Sequence, residues 1–356
     1  MVTSSPFSLR ITSSFLIHRL PSMCHLTNSL NRYLPAWPLL LRIGLSCGLM
    51  GALLWRQDWA VLRATFAGME LSGWFMGLAV FLMSQVVSAV RWWSFAQPLG
   101  LGQRFTRIWR LYFEGMFFSL CLPSSIGGDV IKALRISPTA AGRMLGACSV
   151  VADRLAGLCA VLIIGLAALT GRELGLSGGA AFAVGGVYYL IACLVSGLGL
   201  AGSNWLARRL SPESRLGRAL TQLAPYHHRP AVFWRGIFLG VIVQGLNVAG
   251  VICLGAALGI DLPPAAYCAV VPLVALATTL PISLNGVGVR EGAMVLLLRE
   301  YGIATEVSTT LALVWFTVQV AAGLIGGVVY AVAPKLTYAE RGDAIESENA
   351  ALQRAA

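Results

Sequence analysis

Charge is what this chain most lacks. Only 12% of its 356 residues are Asp, Glu, Lys or Arg, roughly half the share of an ordinary soluble domain. With 57% hydrophobic residues and a mean hydropathy of +0.75, a water-soluble globule is excluded and an integral membrane protein is implied. Histidine is scarce too. His18, His25, His227 and His228 are the full set; none lies in an apolar run, and the adjoining pair lacks the spacing of a zinc site. The eight cysteines form no C-x-x-C, and seven lie in or beside apolar segments. Small apolar packing is expected of them rather than a metal site or disulfide framework, and no metal or cofactor is expected. A signal-peptide core is missing as well: FLIHRLP is too short and too interrupted. Residues 1–35, Ser-rich with Arg10, Arg19 and Arg32, read as a disordered cytoplasmic tail in which Met23 is a second candidate start. Finally, no aromatic-interleaved basic domain is present to bind nucleic acid, although the formal charge is +11. That excess is expected to sit in cytoplasmic loops and against anionic head groups.

What the chain has is long apolar runs: roughly 36–55, 71–90, 108–122, 145–170, 179–201, 233–260, 264–280, 287–298 and 305–333. A spanning helix needs about 20 apolar residues, so six to nine spans fit and a sizeable soluble domain does not. The fold class is therefore all-α, a polytopic helical bundle, divided into a tail at 1–35, a transmembrane domain at 36–334 and a short polar cytoplasmic tail at 335–356. Segment 58–70 carries apolar residues near helical spacing and is expected to be an interfacial helix on the outer surface.

Simple alternation of spans conflicts with the positive-inside rule. It would put the loop holding Arg208, Arg209, Arg215, Arg218, Arg229 and Arg235 outside. The conflict vanishes if 108–136 is a re-entrant hairpin from the cytoplasmic face and 264–300 another from the opposite face. Both chain ends are then cytoplasmic. The turn of the first reads CLPSSIGGDVIKAL (121–134); the turn of the second reads LPISLNGVGVREGAM (280–294). Each runs Leu-Pro, Ser, glycines, an acid, then apolar residues: a weak internal repeat in inverted orientation. Paired Gly/Pro-interrupted segments point to a transporter site. Helix N-termini begun at such glycines aim free N–H groups at the middle of the protein, which suits an anion such as a lipid phosphate. The alternative is a pair of kinked but complete spans, since Gly and Pro are common in membrane helices.

Ionisable residues at membrane depth are costly and each is a functional candidate. The substrate-binding set is Gly127, Gly128, Asp129, Arg154, Gly286, Gly288, Arg290 and Glu291, supported by Glu114, Pro123, Asp153, Pro281 and Asn285. No catalytic residue is expected among them. Arg154 and Arg290 are expected to clamp phosphate, because a guanidinium binds it bidentately. Asp129 and Glu291 would hold those arginines or carry a coupling proton. The competing view makes these residues structural ion pairs across the bundle. Gln85, Gln244, Asn247 and Gln319 are expected to act as interhelical hydrogen-bond glue, and Gly236/Gly240, Gly255/Gly259 and Gly323/Gly327 as close helix contacts.

RWW (91–93), LPSSIGGDVIKAL (122–134), SVVADRLAGL (149–158) and LPISLNGVGVREGAM (280–294) resemble the flippase-like membrane proteins that share the transmembrane region of lysylphosphatidylglycerol synthase. The resemblance spans roughly residues 36 to 334. It implies a polytopic inner-membrane fold related to a lipid-translocating module, with matching positions at Pro123, Gly127, Gly128, Asp129, Asp153, Arg154, Pro281, Gly286, Gly288, Arg290 and Glu291. It also implies a departure: about two dozen polar residues follow the last apolar run, so aminoacyl transfer by this chain is not expected. The expected function is translocation of an anionic phospholipid or a polyprenyl-phosphate-linked saccharide in the inner (cytoplasmic) membrane. The alternatives are an accessory scaffold for an envelope-synthesis enzyme, docking through loop 203–232, and an enzyme acting on lipid phosphates or prenyl chains. The last lacks a D-D-x-x-D run or a nucleophile beside its base.

Overall fold

The computed structural model describes residues 58–122, 127–173, 229–279, 283 and 285–332, and single positions elsewhere. The N-terminal tail, most of the 36–55 and 179–201 runs, most of loop 203–232, the C-terminal tail, Pro123 and Pro281 lie outside the described residues. Among those described, all regular structure is helical: α1 Trp59–Ala67, α2 Leu71–Ala96, α3 Phe105–Cys121, α4 Gly127–Arg135, α5 Ala140–Glu173, α6 Pro230–Ala257, α7 Pro264–Thr279, α8 Val289–Arg299 and α9 Thr305–Val332. Four of these, α2, α5, α6 and α9, are long and apolar enough to cross a membrane. The protein is thus a multi-pass helical membrane protein.

The expected interfacial segment is indeed a helix, α1, started by the Asp58 carboxylate, which accepts from the N–H of Ala60 and Val61. It packs on α9. The second apolar run extends further than its composition suggests. α2 continues through Arg91 to Ala96, because Ala89, Trp92 and Phe95 fall on one buried face at helical spacing.

In lipid, helices gain little from hydrophobic exclusion and associate through close packing of small residues. The pairing of α2 with α6 follows that rule. A side chain at Gly73 would strike Ala257, one at Gly77 would strike Leu254, and one at Gly236 would strike the Phe95 ring. Ser84 bonds Asn247 at 3.1 Å between them. The rising numbers on one helix against falling numbers on the other make the two antiparallel. The same device joins α9 to α3, where Gly323 faces Leu120, Gly326 faces the Phe113 carbonyl and Gly327 faces the Phe117 ring. So the packing expectation holds for Gly236, Gly240, Gly255, Gly323 and Gly327. It fails for Gly259, which touches nothing and has φ +70°. That glycine closes the turn after α6, with the Ile260 N–H returning to Gly255.

Asn247 acts as interhelical glue, as expected. Gln244 does not: its Nε2 is buried without a partner in the described residues.

Two breaks organise the interior. α3 and α4 have 17 and 9 residues, about 25 and 14 Å of helix, each short of the roughly 30 Å hydrocarbon core. The chain reverses between them: Gly127 lies on Leu122, Gly128 on Gly115 and Ser119, and Arg135 reaches Glu114. α7 and α8, with 16 and 11 residues, are the second short pair. α4 packs on α3 and α5, and α8 packs on α7 and α9.

Candidate functional site

At the first break every carboxylate has a cation. Asp129, in the first turn of α4, accepts from Lys132 Nζ at 3.1 Å through Oδ1 and from Arg154 Nε at 2.6 Å through Oδ2. Lys132 also sits 4.1 Å from the centroid of the Tyr112 ring. Asp153, the neighbour of Arg154 on α5, is held by Arg91 of α2 in two bonds, Nε to Oδ1 at 2.7 Å and Nη2 to Oδ2 at 3.2 Å. This fork geometry is the strong form of the Arg–carboxylate pair. Space for the guanidinium comes from Gly157 and Gly240, where a Cβ would lie 3.3 Å from Arg91 Nη1. Glu114 is wholly buried between Arg135 at 2.6 Å and Arg110 at 3.6 Å. The expectation that Asp129 holds Arg154 is therefore met.

The second break is built differently. Asn285, Gly286 and Gly288 have φ of 50°, 76° and 81°, the left-handed region that glycine enters without penalty. Gly286 is doubly constrained, since a Cβ there would lie 2.8 Å from the Thr278 side chain. α8 starts at the end of this turn. Glu291 does not hold Arg290, contrary to expectation. Its Oε2 accepts the Gly288 N–H at 2.7 Å, closing the first turn of its own helix, an arrangement favoured by the positive N-terminal end. Arg290 is 4% exposed and pairs with no carboxylate of the described residues. One terminal amine, Nη2, donates to the Asn285 carbonyl at 3.0 Å, while Nη1 is buried without a partner there. The guanidinium lies 5.1 Å from the Phe316 ring centroid and 5.8 Å from that of Trp315, so aromatic faces provide part of its stabilisation.

Among the described residues, one hydrogen bond links the breaks. Asn285 Nδ2 donates to the Ser119 carbonyl at 2.7 Å, in the last turn of α3. Gly127, Gly128, Asp129, Glu114, Asp153 and Arg154 thus form one group, Gly286, Gly288, Arg290 and Glu291 another, and Asn285 bridges them. Arg154 and Arg290 belong to different groups, and their helices α5 and α8 share no extensive packing among the described residues. Sequence reasoning missed Arg91, Lys132, Ser119, Trp315 and Phe316. Arg91 was findable, because Trp92 and Phe95 extend the apolar face of the preceding run past the charge.

Four long apolar helices, two broken helix pairs and a buried guanidinium between them define a polytopic membrane protein with a polar interior. The chain belongs to the family of the lysylphosphatidylglycerol synthase transmembrane region, whose family model matches residues 39–327. No curated protein matches it.

Proposed function

We propose that the protein is a flippase-like translocator of a lipid or lipid-linked saccharide in the inner membrane, and that Arg290 receives the anionic head group. The observation carrying this is the Arg290 guanidinium, buried with Nη1 unpartnered among the described residues. A buried cation without an ion pair is expensive, so an arginine kept this way favours an anion that comes and goes. The glycine turn supports the same reading, because it starts α8 beside the guanidinium and brings the positive end of that helix to the site. Arg290 lies against Trp315 and Phe316, nine to ten residues into α9 from Glu306, or about 14 Å along the axis, near half the hydrocarbon thickness. In this reading α3–α4 and α7–α8 are re-entrant hairpins from opposite faces, related as an inverted repeat, with both termini cytoplasmic. The protein is then a transporter rather than an enzyme.

The test is lipid movement in proteoliposomes. Arg290→Ala should lower the scrambling rate of a fluorescent anionic phospholipid at least about tenfold, the factor that loss of one buried charge-assisted contact produces. Zwitterionic lipid movement at the wild-type rate in both proteins is the background. An unchanged anionic rate in a folded variant overturns the proposal. For the hairpins, cysteines at Arg215 and Glu300 should react with impermeant thiol reagents from the cytoplasmic and the outer side respectively. Reaction of both from one side refutes the pair of reversals.

A further inference from the structure

Arg154 is the most exposed of the charges at the two breaks. Arg91, Asp129, Lys132, Asp153, Arg290 and Glu291 are buried, whereas the Arg154 side chain is 61% exposed. It shares an outward face of α5 with Leu155, Leu158, Leu162 and Leu166, which are 39% to 51% exposed. On a helix that spans a membrane, a face that the described residues leave uncovered meets lipid. From residue 155 to residue 166 the four leucines extend about 17 Å along the axis, close to the hydrocarbon depth of one leaflet.

Two helices independently fix the level of Arg154. Along α2, residues 71–90 carry no charge and separate Glu70 from Arg91 by about 31 Å. Along α5, residues 155–171 carry no charge and separate Arg154 from Arg172 by about 27 Å. Each distance is about one hydrocarbon core, and the Arg91–Asp153 pair ties the two helices together at that level. Arg154 therefore stands where the head groups of one leaflet lie, with the leucines descending into that leaflet's tails.

We propose that Arg154 and this leucine rail form a docking site for a membrane lipid with an anionic phosphate head group, taken from the surrounding bilayer. The phosphate sits on the guanidinium and one acyl chain lies along Leu155, Leu158, Leu162 and Leu166. Charge complementarity selects the occupant. Arg91, Lys132 and Arg154 face only Asp129 and Asp153, which leaves one positive charge in excess. The pairing pattern lets Arg154 be the free one. Its Nε holds Asp129, but its terminal amines carry no hydrogen bond to the described residues, and Asp129 keeps Lys132 if Arg154 leans outward. Asp153, by contrast, is committed to Arg91. The site is separate from Arg290 and holds whether or not lipid passes that residue.

The experiment uses the full chain in nanodiscs doped with phosphatidylglycerol bearing a diazirine on one acyl chain. After illumination, labelled peptides are mapped by mass spectrometry. Labelling of residues 155–166 is expected in the wild-type protein, competed by unlabelled phosphatidylglycerol and not by phosphatidylcholine. Arg154→Gln should lower it about fivefold, the factor one basic residue contributes to anionic-lipid attraction, with Arg154→Lys retaining most of it. Arg290→Ala should leave it unchanged. Equal competition by the two lipids in the wild-type protein overturns the proposal without recourse to any variant, as does unaltered labelling in Arg154→Gln.

Discussion

The two breaks share a sequence pattern and reach opposite electrostatic solutions. At the first, the acid Asp129 points sideways and is satisfied by two cations from α4 and α5. At the second, the acid Glu291 turns back on its own helix to the Gly288 N–H, and the adjacent Arg290 is left with one backbone carbonyl and two aromatic rings. The first break gives every carboxylate a cation and ties α2, α3, α4 and α5 together. The second holds a guanidinium that makes no ion pair with the described residues. A motif of Leu-Pro, Ser, glycines and an acid therefore prescribes a helix break but not what the break holds. That is decided by neighbours far away in sequence.

The contrast is sharpest in the response to losing one charge. Asp153→Ala strands the buried Arg91 guanidinium and should cost about 3–5 kcal/mol, the usual penalty for breaking a buried pair from one side. Arg290→Met removes a cation that makes no ion pair with the described residues and loses one charge-assisted hydrogen bond, so it should cost less, about 1.5–3 kcal/mol. Thermal unfolding of the two variants in the same detergent measures both. Equal losses would mean that the second break is as structural as the first.

Next in size is Gly128→Ala. A Cβ at this position would run into the Gly115 carbonyl and the Ser119 hydroxyl, so α3 and α4 must separate. Overpacking of this kind typically costs about 1–3 kcal/mol. The matching change in the second pair, Gly292→Ala, meets nothing and should be neutral or slightly stabilising through helix propensity, by up to about 1 kcal/mol. Glu291→Ala follows. It leaves the Gly288 N–H without its acceptor and should cost about 0.5–2 kcal/mol, in the range of a lost N-terminal cap, while Asp129→Ala also releases two cations and should cost more. Unfolding curves for the pair check the order.

How much of this was legible in the sequence follows from the same contrast. The helices were readable because apolar runs in a chain this poor in charge allow little else: α7, expected at 264–280, is Pro264–Thr279, and α9, expected at 305–333, is Thr305–Val332. The second break was readable from its glycines, since Gly286 and Gly288 take the left-handed backbone that starts α8. Partnership was not. Arg91 looked like a loop charge because hydropathy alone ends the run at Val90, and nothing local to Asp153 says that its partner is 62 positions away. Arg290 and Glu291, adjacent in the chain, looked like natural partners. Consecutive residues on a helix project about 100° apart, so the glutamate reaches the start of the helix and the arginine faces α9.

The smallest expected effect belongs to the bond that joins the two regions. Asn285 combines a left-handed backbone with φ 50° and a 2.7 Å hydrogen bond to the Ser119 carbonyl. Asn285→Ala removes the bond and keeps the backbone strain, whereas Asn285→Gly removes the bond and relieves the strain. The glycine variant isolates the link. Interhelical hydrogen bonds in membrane proteins average about 0.6 kcal/mol, so its melting temperature should barely move, and the alanine variant should fall below it. The informative measurement is coupling. If the breaks communicate through this bond, then in the Asn285→Gly background the loss from Gly128→Ala should no longer change the protection of Val289 and Arg290 amides in hydrogen exchange. Full transmission of that change without the bond would assign the contact to packing between α3 and α9, and would leave the two breaks as independent structures.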